Sequence, residues 1–254
     1  MEGELSGKTA LITGASQGIG AATAIALAAS GVRRFFLQYN RNRDGMDRVL
    51  EKVRALGGDA HVIAVDLATH DGIERLLTEF HQFGQPIDIL VNNAGSLVQR
   101  ARLAEFTEDL YDRVMNLNVK SVWLLTQAVI PAMIQRRSGF IINVSSIAAR
   151  NGGGPGATVY AGAKAAISAM TKGMAKELAP HNIRVNAVSP GTVDNYFHEQ
   201  FSTRDMLETV IKGTPAGRLG TNEDIADVIV FLCSPGSRYI YGQTIEVNGG
   251  GFMI

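Results

Sequence analysis

A doubly wound parallel α/β sheet is the fold this sequence predicts, on three observations. Short runs that are apolar at successive positions recur along the chain, the pattern of strands buried on both faces. Segments with apolar residues three and four apart separate them, as amphipathic helices do. The first run ends in a glycine-rich turn that opens one of those segments.

The elements follow in order. Thr9–Thr13 is the first strand, and Thr13-Gly14-Ala15-Ser16-Gln17-Gly18-Ile19-Gly20 leads from it into an alanine-rich helix over Ile19–Ala29. Arg34–Tyr39 is the second strand, followed by a helix over Met46–Leu56 with Val49, Leu50 and Val53 on one face. His61–Val65 precedes a helix over Ile73–Phe83 carrying Leu76, Leu77 and Phe80. Ile87–Val91, Phe140–Val144, Arg184–Val188 and Thr244–Val247 complete about seven strands, with a further helix over Val159–Leu178. No linker or repeat divides the order, so residues 1–254 read as a single domain with helices on both faces of one sheet. Crossovers between parallel strands are right-handed, and such sheets bind ligands beyond the carboxyl ends of their strands.

Composition narrows the function classes. With 254 residues, 46% hydrophobic and 19% charged, the chain has the make-up of a compact soluble protein. Lys+Arg and Asp+Glu are 24 each, so there is no basic excess to suggest a nucleic-acid partner. The single Cys233 closes no intrachain disulfide, and no Cys/His cluster suggests a metal. Met1-Glu2-Gly3-Glu4-Leu5 lacks the basic and apolar regions of a signal peptide, and the apolar stretch from Val119 to Ile134 is broken by Lys120, Ser121, Thr126, Gln127 and Pro131. These features point to a cytoplasmic protein with no membrane association.

The glycines of the first turn let backbone N–H groups approach a pyrophosphate at the positive end of the following helix. The spacing differs from G-x-G-x-x-G, and no G-x-x-x-x-G-K-[ST] occurs, which disfavours an NTPase. Thr13-Gly14-x-x-x-Gly18-x-Gly20, Asn92-Asn93-Ala94-Gly95 after the fourth strand and Tyr160-x-x-x-Lys164 together resemble the classical short-chain dehydrogenases/reductases, over Lys8 to Gly250. The resemblance implies a Rossmann fold, a nicotinamide dinucleotide and hydride transfer between it and a carbonyl or secondary alcohol.

Cofactor preference is read at the end of the second strand, where an acid would accept from the 2′-hydroxyl and repel a 2′-phosphate. Here the segment is Gln38-Tyr39-Asn40-Arg41-Asn42-Arg43, with Tyr39 where NAD-preferring relatives carry aspartate. Arg41 and Arg43 read as a clamp for a phosphate, or as a solvated basic loop; the first predicts NADP(H) over a possible NAD(H). Gln17 is neutral where many NADP-preferring relatives place a base. The resemblance puts Gly14, Ser16, Gln17, Gly18, Ile19 and Gly20 at the phosphates, and Tyr39, Asn40 and Arg41 at the adenosine ribose. Asp66 reads either as an acceptor for the adenine amino group, beside Leu67, or as a turn acid before the helix. Asn93, Ala94 and Gly95 follow on the nucleoside side, as does Asn92 by the family pattern; Asn93 reads equally as a tie within its turn.

Tyr160 and Lys164, four apart on one helix, share a face. An ammonium beside a phenol favours phenolate, which predicts a tyrosine pKa below its usual value of about 10. By the family pattern Ser146, at the carboxyl end of the fifth strand, is the catalytic serine, with Ser145 structural. Ile147–Val159 is one residue longer than the commonest spacing. Of Asn116 and Asn118, matching the flanking Val114-Met115 and Trp123-Leu124 to the family pattern implies Asn118 as the fourth member, alongside a reading as a helix-kink satisfier. Pro190, Gly191 and Val193 match the turn beside the nicotinamide carboxamide, with Asn195 where relatives often carry threonine.

An amphipathic stretch from Tyr196 to Gly217 reads as a substrate lid over about residues 192–217, or as core packing of a short helix pair. His198, Glu199 and Gln200 near its start suit a hydroxylated substrate. The expected activity is an NADPH-dependent oxidoreductase acting on a small ketone, sugar or sugar acid. The alternative is a 3-oxoacyl-[acyl-carrier-protein] reductase, for which Arg136-Arg137 matches one carrier-gripping region near the cleft while His181 stands at the second. A reading from another class is a non-enzymatic NADP-binding sensor or scaffold; the set Asn118, Ser146, Tyr160 and Lys164 speaks against it. A homotetramer is expected by family analogy.

Overall fold

A computed structural model describes residues 5–254, so the reading of Met1-Glu2-Gly3-Glu4 lies outside the described residues. In chain order the elements are β1 (Thr9–Ile12), α1 (Gly18–Ala29), β2 (Arg34–Tyr39), α2 (Arg43–Ala55), β3 (Asp59–Ala64), α3 (His70–Phe83) and β4 (Ile89–Asn92). They continue with α4 (Glu108–Met115), a π-helical turn (Asn116–Lys120), α5 (Ser121–Arg136), β5 (Gly139–Val144), α6 (Ala148–Asn151), α7 (Thr158–Leu178) and β6 (Ile183–Pro190). The last are α8 (Tyr196–Phe201), α9 (Arg204–Gly213), α10 (Asn222–Cys233) and β7 (Thr244–Val247).

All seven strands pair in parallel in the order β3-β2-β1-β4-β5-β6-β7, the expected Rossmann-type sheet. The direction of winding reverses between β1 and β4, which opens a crevice at their carboxyl ends. Each strand divides its side chains between two cores by simple alternation. Ala10, Ile12, Phe35, Leu37, Ile89 and Val91 pack with α1, α2 and α10, whereas Leu11, Phe36, Leu90 and Ile141 pack with α3, α5 and α7. Burial on both faces explains why these strands read as continuous apolar runs.

Helix starts follow local chemistry. Asn42, Thr69 and Thr107 accept from the backbone N–H of Gly45, Gly72 and Leu110, and Thr221 with Asp224 closes a reciprocal box at α10. Beneath the carboxyl ends, a buried polar chain runs from Asn92 to Asn143 (2.9 Å) and from Asn143 to Thr171 (2.9 Å), joining β4, β5 and α7. It fixes the strand ends from which the site is built.

The helical run Glu108–Arg136 is long and apolar enough by composition to cross a membrane, contrary to the expectation drawn from its polar interruptions. In the fold Leu125, Val129 and Met133 of this run lie in the core against the sheet.

Candidate active site

The crevice is a cleft of about 1160 Å³ along the carboxyl ends of the strands. Its phosphate end is shaped by glycine. Gly14 (φ +65°) and Gly18 (φ +59°) are left-handed, and a Cβ on Gly14 would stand 2.9 Å from Asn93 Nδ2. α1 begins here with no side-chain cap from Gln17 and no acid in its first turn, so its leading amides are left to an anion. Gly14, Ser16, Gln17, Gly18 and Ile19 all line the cleft. Gly20 does not; it is needed behind the turn, where a Cβ would fall on the Gly14 carbonyl oxygen.

The turn is tied to β4 across about 80 residues of sequence. Thr13 Oγ1 accepts from the N–H groups of Asn93 (3.0 Å) and Ala94 (2.9 Å), and Asn93 Nδ2 donates to the Thr13 (2.8 Å) and Gly14 (3.2 Å) carbonyls. The Asn93 side chain is therefore the tie within the turn, while Asn93, Ala94 and Gly95 line the cleft and Asn92 is buried beneath it.

At the end of β2 the geometry corrects one residue. Tyr39 shares its strand face with Phe35 and Leu37 and lies in the core, not at the cleft. Gln38, on the opposite face, lines the cleft instead; its Oε1 accepts from Gly14 N (2.9 Å) and its Nε2 donates to the Val65 carbonyl (2.8 Å). Asn40 and Arg41 line the cleft, but Arg43 starts α2 and pairs with Asp47 at 2.9 Å, so the two-arginine clamp reduces to Arg41. Asp66 and Leu67 line the same end. Asp66 Oδ1 accepts from Ala68 N (3.0 Å) as a turn acid, and Thr69 is the cap of α3.

Ser146, Tyr160 and Lys164 meet where β5 and α7 converge, and all three line the cleft. Ser146 Oγ accepts from Ala148 N (3.1 Å), and its hydroxyl lies near enough to Tyr160 to favour the phenolate. Lys164, 3% exposed, donates from Nζ to the Val144 carbonyl (2.8 Å), with its ammonium 5.7 Å from the Tyr160 ring centre. Ser145 is structural, joining the Lys164 carbonyl and the Ser168 hydroxyl. The expected depression of the phenol pKa is not what this geometry gives. Burial pushes Tyr160 up to about 12 against the opposing Ser146 hydroxyl, and burial lowers Lys164 to about 8. Desolvation exceeds the attraction of an ammonium aimed at a carbonyl, so the phenol is a held proton at neutral pH.

Asn118 does not line the cleft. It is fully buried in the π-helical turn, donating to the Ser96 and Val114 carbonyls at 2.9 Å each. Its Oδ1 has no partner, and a Cβ on Gly95 would stand 2.9 Å from that oxygen and 2.6 Å from Lys164 Nζ, so both groups converge behind Gly95. Asn116 donates only a long bond to the Ala68 carbonyl (3.4 Å).

The remaining wall comes from the segment after β6. Pro190, Gly191 and Val193 line the cleft, and Asn195 caps α8 by accepting from Phe197 N (3.1 Å). α8 and α9 contain no buried residue, so the stretch is not core packing; Phe197, Phe201 and Met206 face the cleft instead. His198 and Gln200 line it and Glu199 does not. Arg100, Arg113 and Val98 also line it and were not singled out in the sequence, since lone loop and helix residues carry no periodic signal.

Arg137 lies nine residues upstream of Ser146 across β5, roughly 25 Å away at strand rise. It donates to the Pro180 carbonyl (2.9 Å) and accepts on its own carbonyl from Asn182 (2.9 Å), beside His181. Arg136 donates to the Ile87 carbonyl (2.8 Å). This basic region is at the amino ends of the strands, opposite the carboxyl ends that carry this chain's cleft.

Comparison with known proteins gives a consistent picture. The family model described as enoyl-(acyl carrier protein) reductase matches residues 14–251. A 3-oxoacyl-[acyl-carrier-protein] reductase of Thermotoga maritima is 39% identical over 246 residues, 97% of this chain and 98% of that protein. A Beutenbergia cavernae structure described as an NAD(P)-dependent gluconate 5-dehydrogenase superposes with a TM-score of 0.90 at 31% identity, covering 99% of each chain. An NADH-dependent reductase of alginate metabolism gives a TM-score of 0.87 at 37% identity, covering 99% of this chain and 100% of that one. Identity of this extent, end to end, means that the chain belongs to the short-chain dehydrogenase/reductase family and is an oxidoreductase of carbonyl and CH–OH groups.

Proposed function

We propose that the chain is an NADPH-preferring carbonyl reductase of small ketones, running reversibly as an alcohol dehydrogenase. The observation that carries this reading is one cleft lined both by an uncapped, glycine-shaped helix start and by Ser146, Tyr160 and Lys164. The residues present fit a dinucleotide: the leading amides of α1 carry no side-chain cap and no acid, and they open onto a cleft lined by Gly14, Ser16, Gln17 and Gly18.

Gly14, Ser16, Gln17, Gly18 and Ile19 would hold the pyrophosphate with Gly20 supporting the turn, Arg41 and Asn40 a 2′-phosphate, and Asp66 and Leu67 the adenine. Asn93, Ala94, Gly95, Pro190, Gly191 and Val193 would line the nicotinamide nucleoside. When bound, the nicotinamide supplies or accepts the hydride. Ser146 and Tyr160 hydrogen-bond the substrate carbonyl oxygen and stabilise its developing negative charge. Tyr160, protonated at neutral pH, donates the proton. Lys164 holds positive charge beneath the phenol and would hold the ribose hydroxyls, and Asn118, through its free Oδ1, would position a water that takes the proton onward. α8 and α9 act as a lid over the substrate.

A second reading, 3-oxoacyl-[acyl-carrier-protein] reductase, is supported by the name of the Thermotoga relative and opposed by the distance of Arg137 and His181 from the cleft. A non-enzymatic sensor would have no use for the proton-donating set. We also infer a cytoplasmic homotetramer, a reading supported by the exposed apolar side chains of Trp123, Tyr239 and Ile254.

Initial rates of NADPH and NADH oxidation against β-ketoacyl thioesters, ketoses, uronates and simple ketones test the reading. Free-ketone turnover favouring NADPH is expected. Faster turnover of thioesters would move the assignment to the second reading, and an NADH preference would overturn the role given to Arg41.

A further inference from the structure

The substrate end of the cleft holds a guanidinium that the reduction itself does not use. Arg100, half-buried in the loop after β4, lines the cleft and donates from Nε to the Phe201 carbonyl (3.0 Å) and from Nη1 to the Pro155 carbonyl (2.7 Å). Two segments, the loop before α7 and the end of α8, thus hold two of its three nitrogens. Among the described residues, Nη2 has no hydrogen-bond acceptor and no carboxylate lies within ion-pair distance of the side chain. The carboxylate that lines the cleft, Asp66, belongs to the adenosine end.

The loop is held in place at a cost. Two residues before Arg100, the β-branched Val98 stands at φ +62°, with Gln99 N closing a tight γ-turn onto the Leu97 carbonyl (2.7 Å). A left-handed valine is a strained conformation, and strain of this kind gathers where a loop must present a particular group. His198, the nearest titratable neighbour on α8, is no anion to satisfy the charge. It hydrogen-bonds Ser202 (2.9 Å), and burial followed by the Arg100 charge lowers its pKa to about 4 against the weaker opposing charge of Asp194, which makes no ion pair with Arg100.

We propose that Arg100 is a specificity-determining residue that binds the carboxylate of an anionic ketone through its free Nη2, which makes keto acids the preferred substrates. The inference rests on the carbonyl-reductase reading above and adds the substrate class to it. With Nε and Nη1 engaged, Nη2 is left to donate a charge-assisted hydrogen bond to a carboxylate, a stronger contact than one to a neutral group. The position sets where that carboxylate lies. From the Tyr160 ring the wall passes to Phe197 (centroids 5.8 Å) and on to Phe201 (5.1 Å), whose carbonyl Arg100 holds. Phe197 and Phe201 thus stand between Tyr160 and Arg100 along this wall, which places the anionic group at the end of the substrate away from the reacting carbonyl.

The test measures kcat/KM for oxo-acids and keto-sugar acids against their primary amides, with parallel titration of each ligand into nucleotide-loaded protein. The wild type is expected to prefer the acid by at least about tenfold. Arg100→Gln should lower acid kcat/KM about thirtyfold, mostly through KM, and amide kcat/KM only about threefold; Arg100→Lys should recover part of the acid preference. Equal use of acid and amide by the wild type, or equal losses for both in Arg100→Gln, would reduce Arg100 to a latch between the two walls and overturn the proposal. Should the variant fail to fold, inhibition of the wild type by simple carboxylates, competitive with ketone and absent for the matching amides, decides the matter, its absence counting against. Binding of acids over amides without turnover of any ketone would sink the reductase reading and overturn the substrate preference with it, while confirming the Arg100–carboxylate contact.

Discussion

The two halves of the cleft are built on opposite terms. The nucleotide half is pinned by bonds between distant strands: Thr13 to Asn93 and Ala94, Gly14 to Gln38, Gln38 to Val65. The substrate half is closed by α8 and α9, which bury no residue and are held by the Arg100 bridge, an Asn195–Asn222 contact of 3.1 Å and the ring contact of Phe197 with Tyr160. A polar network that is buried and satisfied tolerates one arrangement. An exposed amphipathic pair tolerates several, and local opening free energy is low where few apolar contacts are buried. The contrast separates what every member of such a fold must do, bind one cofactor, from what distinguishes its substrate.

The residue at the seam between the halves carries the largest expected effect. Tyr160→Phe removes the proton donor, and turnover should fall by roughly a thousandfold or more while nucleotide affinity stays within about twofold. Single-turnover rates and fluorescence titration with NADPH check the two parts. Unchanged turnover would remove Tyr160 from the mechanism altogether.

Next comes the rigid half. Gly20→Ala drives a methyl into the Gly14 carbonyl and the Asn93 amide, both fixed by further bonds, and should cost about 2 kcal/mol or more of stability together with nucleotide binding. Phe197→Ala in the lid should cost less than about 1 kcal/mol and act on KM for the ketone, raising it several-fold. Urea midpoints beside Michaelis constants for both variants compare the halves directly. Equal destabilisation by the two would erase the distinction drawn between them.

The same distinction governs what could be read from the sequence. The glycine turn, Asn93 and the Tyr160/Lys164 pair were legible because each answers a backbone or spacing requirement that a short motif records. The seven strands were legible because burial on both faces writes a continuous apolar run. Tyr39 was misplaced because one step along a strand inverts the face, and the motif marks the strand end without marking the parity. Arg43 was misread because its partner, Asp47, lies one helical turn ahead and the helix start was expected at Met46, not Arg43. The phenol pKa went the wrong way because helical spacing brings Lys164 close to Tyr160 but says nothing of the Val144 carbonyl toward which the ammonium points or of the burial around both groups. Arg100 left no trace, since its partners are 55 and 101 residues away.

Burial of Lys164 gives a pH signature of intermediate size. Its folded pKa of about 8 lies below the ordinary lysine value of 10.5, so below pH 8 the fold bears the full penalty of a buried charge. Between pH 8 and 10.5 the folded state releases the proton while the unfolded chain keeps it, and stability rises with pH over that window. The urea-derived stability of the wild type minus that of Lys164→Met should therefore climb by roughly 1–3 kcal/mol from pH 7 to 10. A difference that stays flat or falls would mean that Lys164 is not desolvated in the native state.

The smallest effect sharpens the nucleotide half from within. Arg41 lines the cleft, and Arg43, two residues on, spends its guanidinium on Asp47 with 69% of its side chain exposed. Arg41→Ala should lower kcat/KM for NADPH about tenfold with little change for NADH, the loss of one charge-assisted contact to the 2′-phosphate. Arg43→Ala should leave both nucleotides within about twofold, because an exposed pair one helical turn apart contributes little and its removal takes nothing from the cleft. A sequence carrying two arginines two residues apart, one before α2 and one opening it, would then owe its NADPH preference to the first. Equal losses in the two variants would return the clamp to both and show that Arg43 leaves Asp47 when the phosphate arrives.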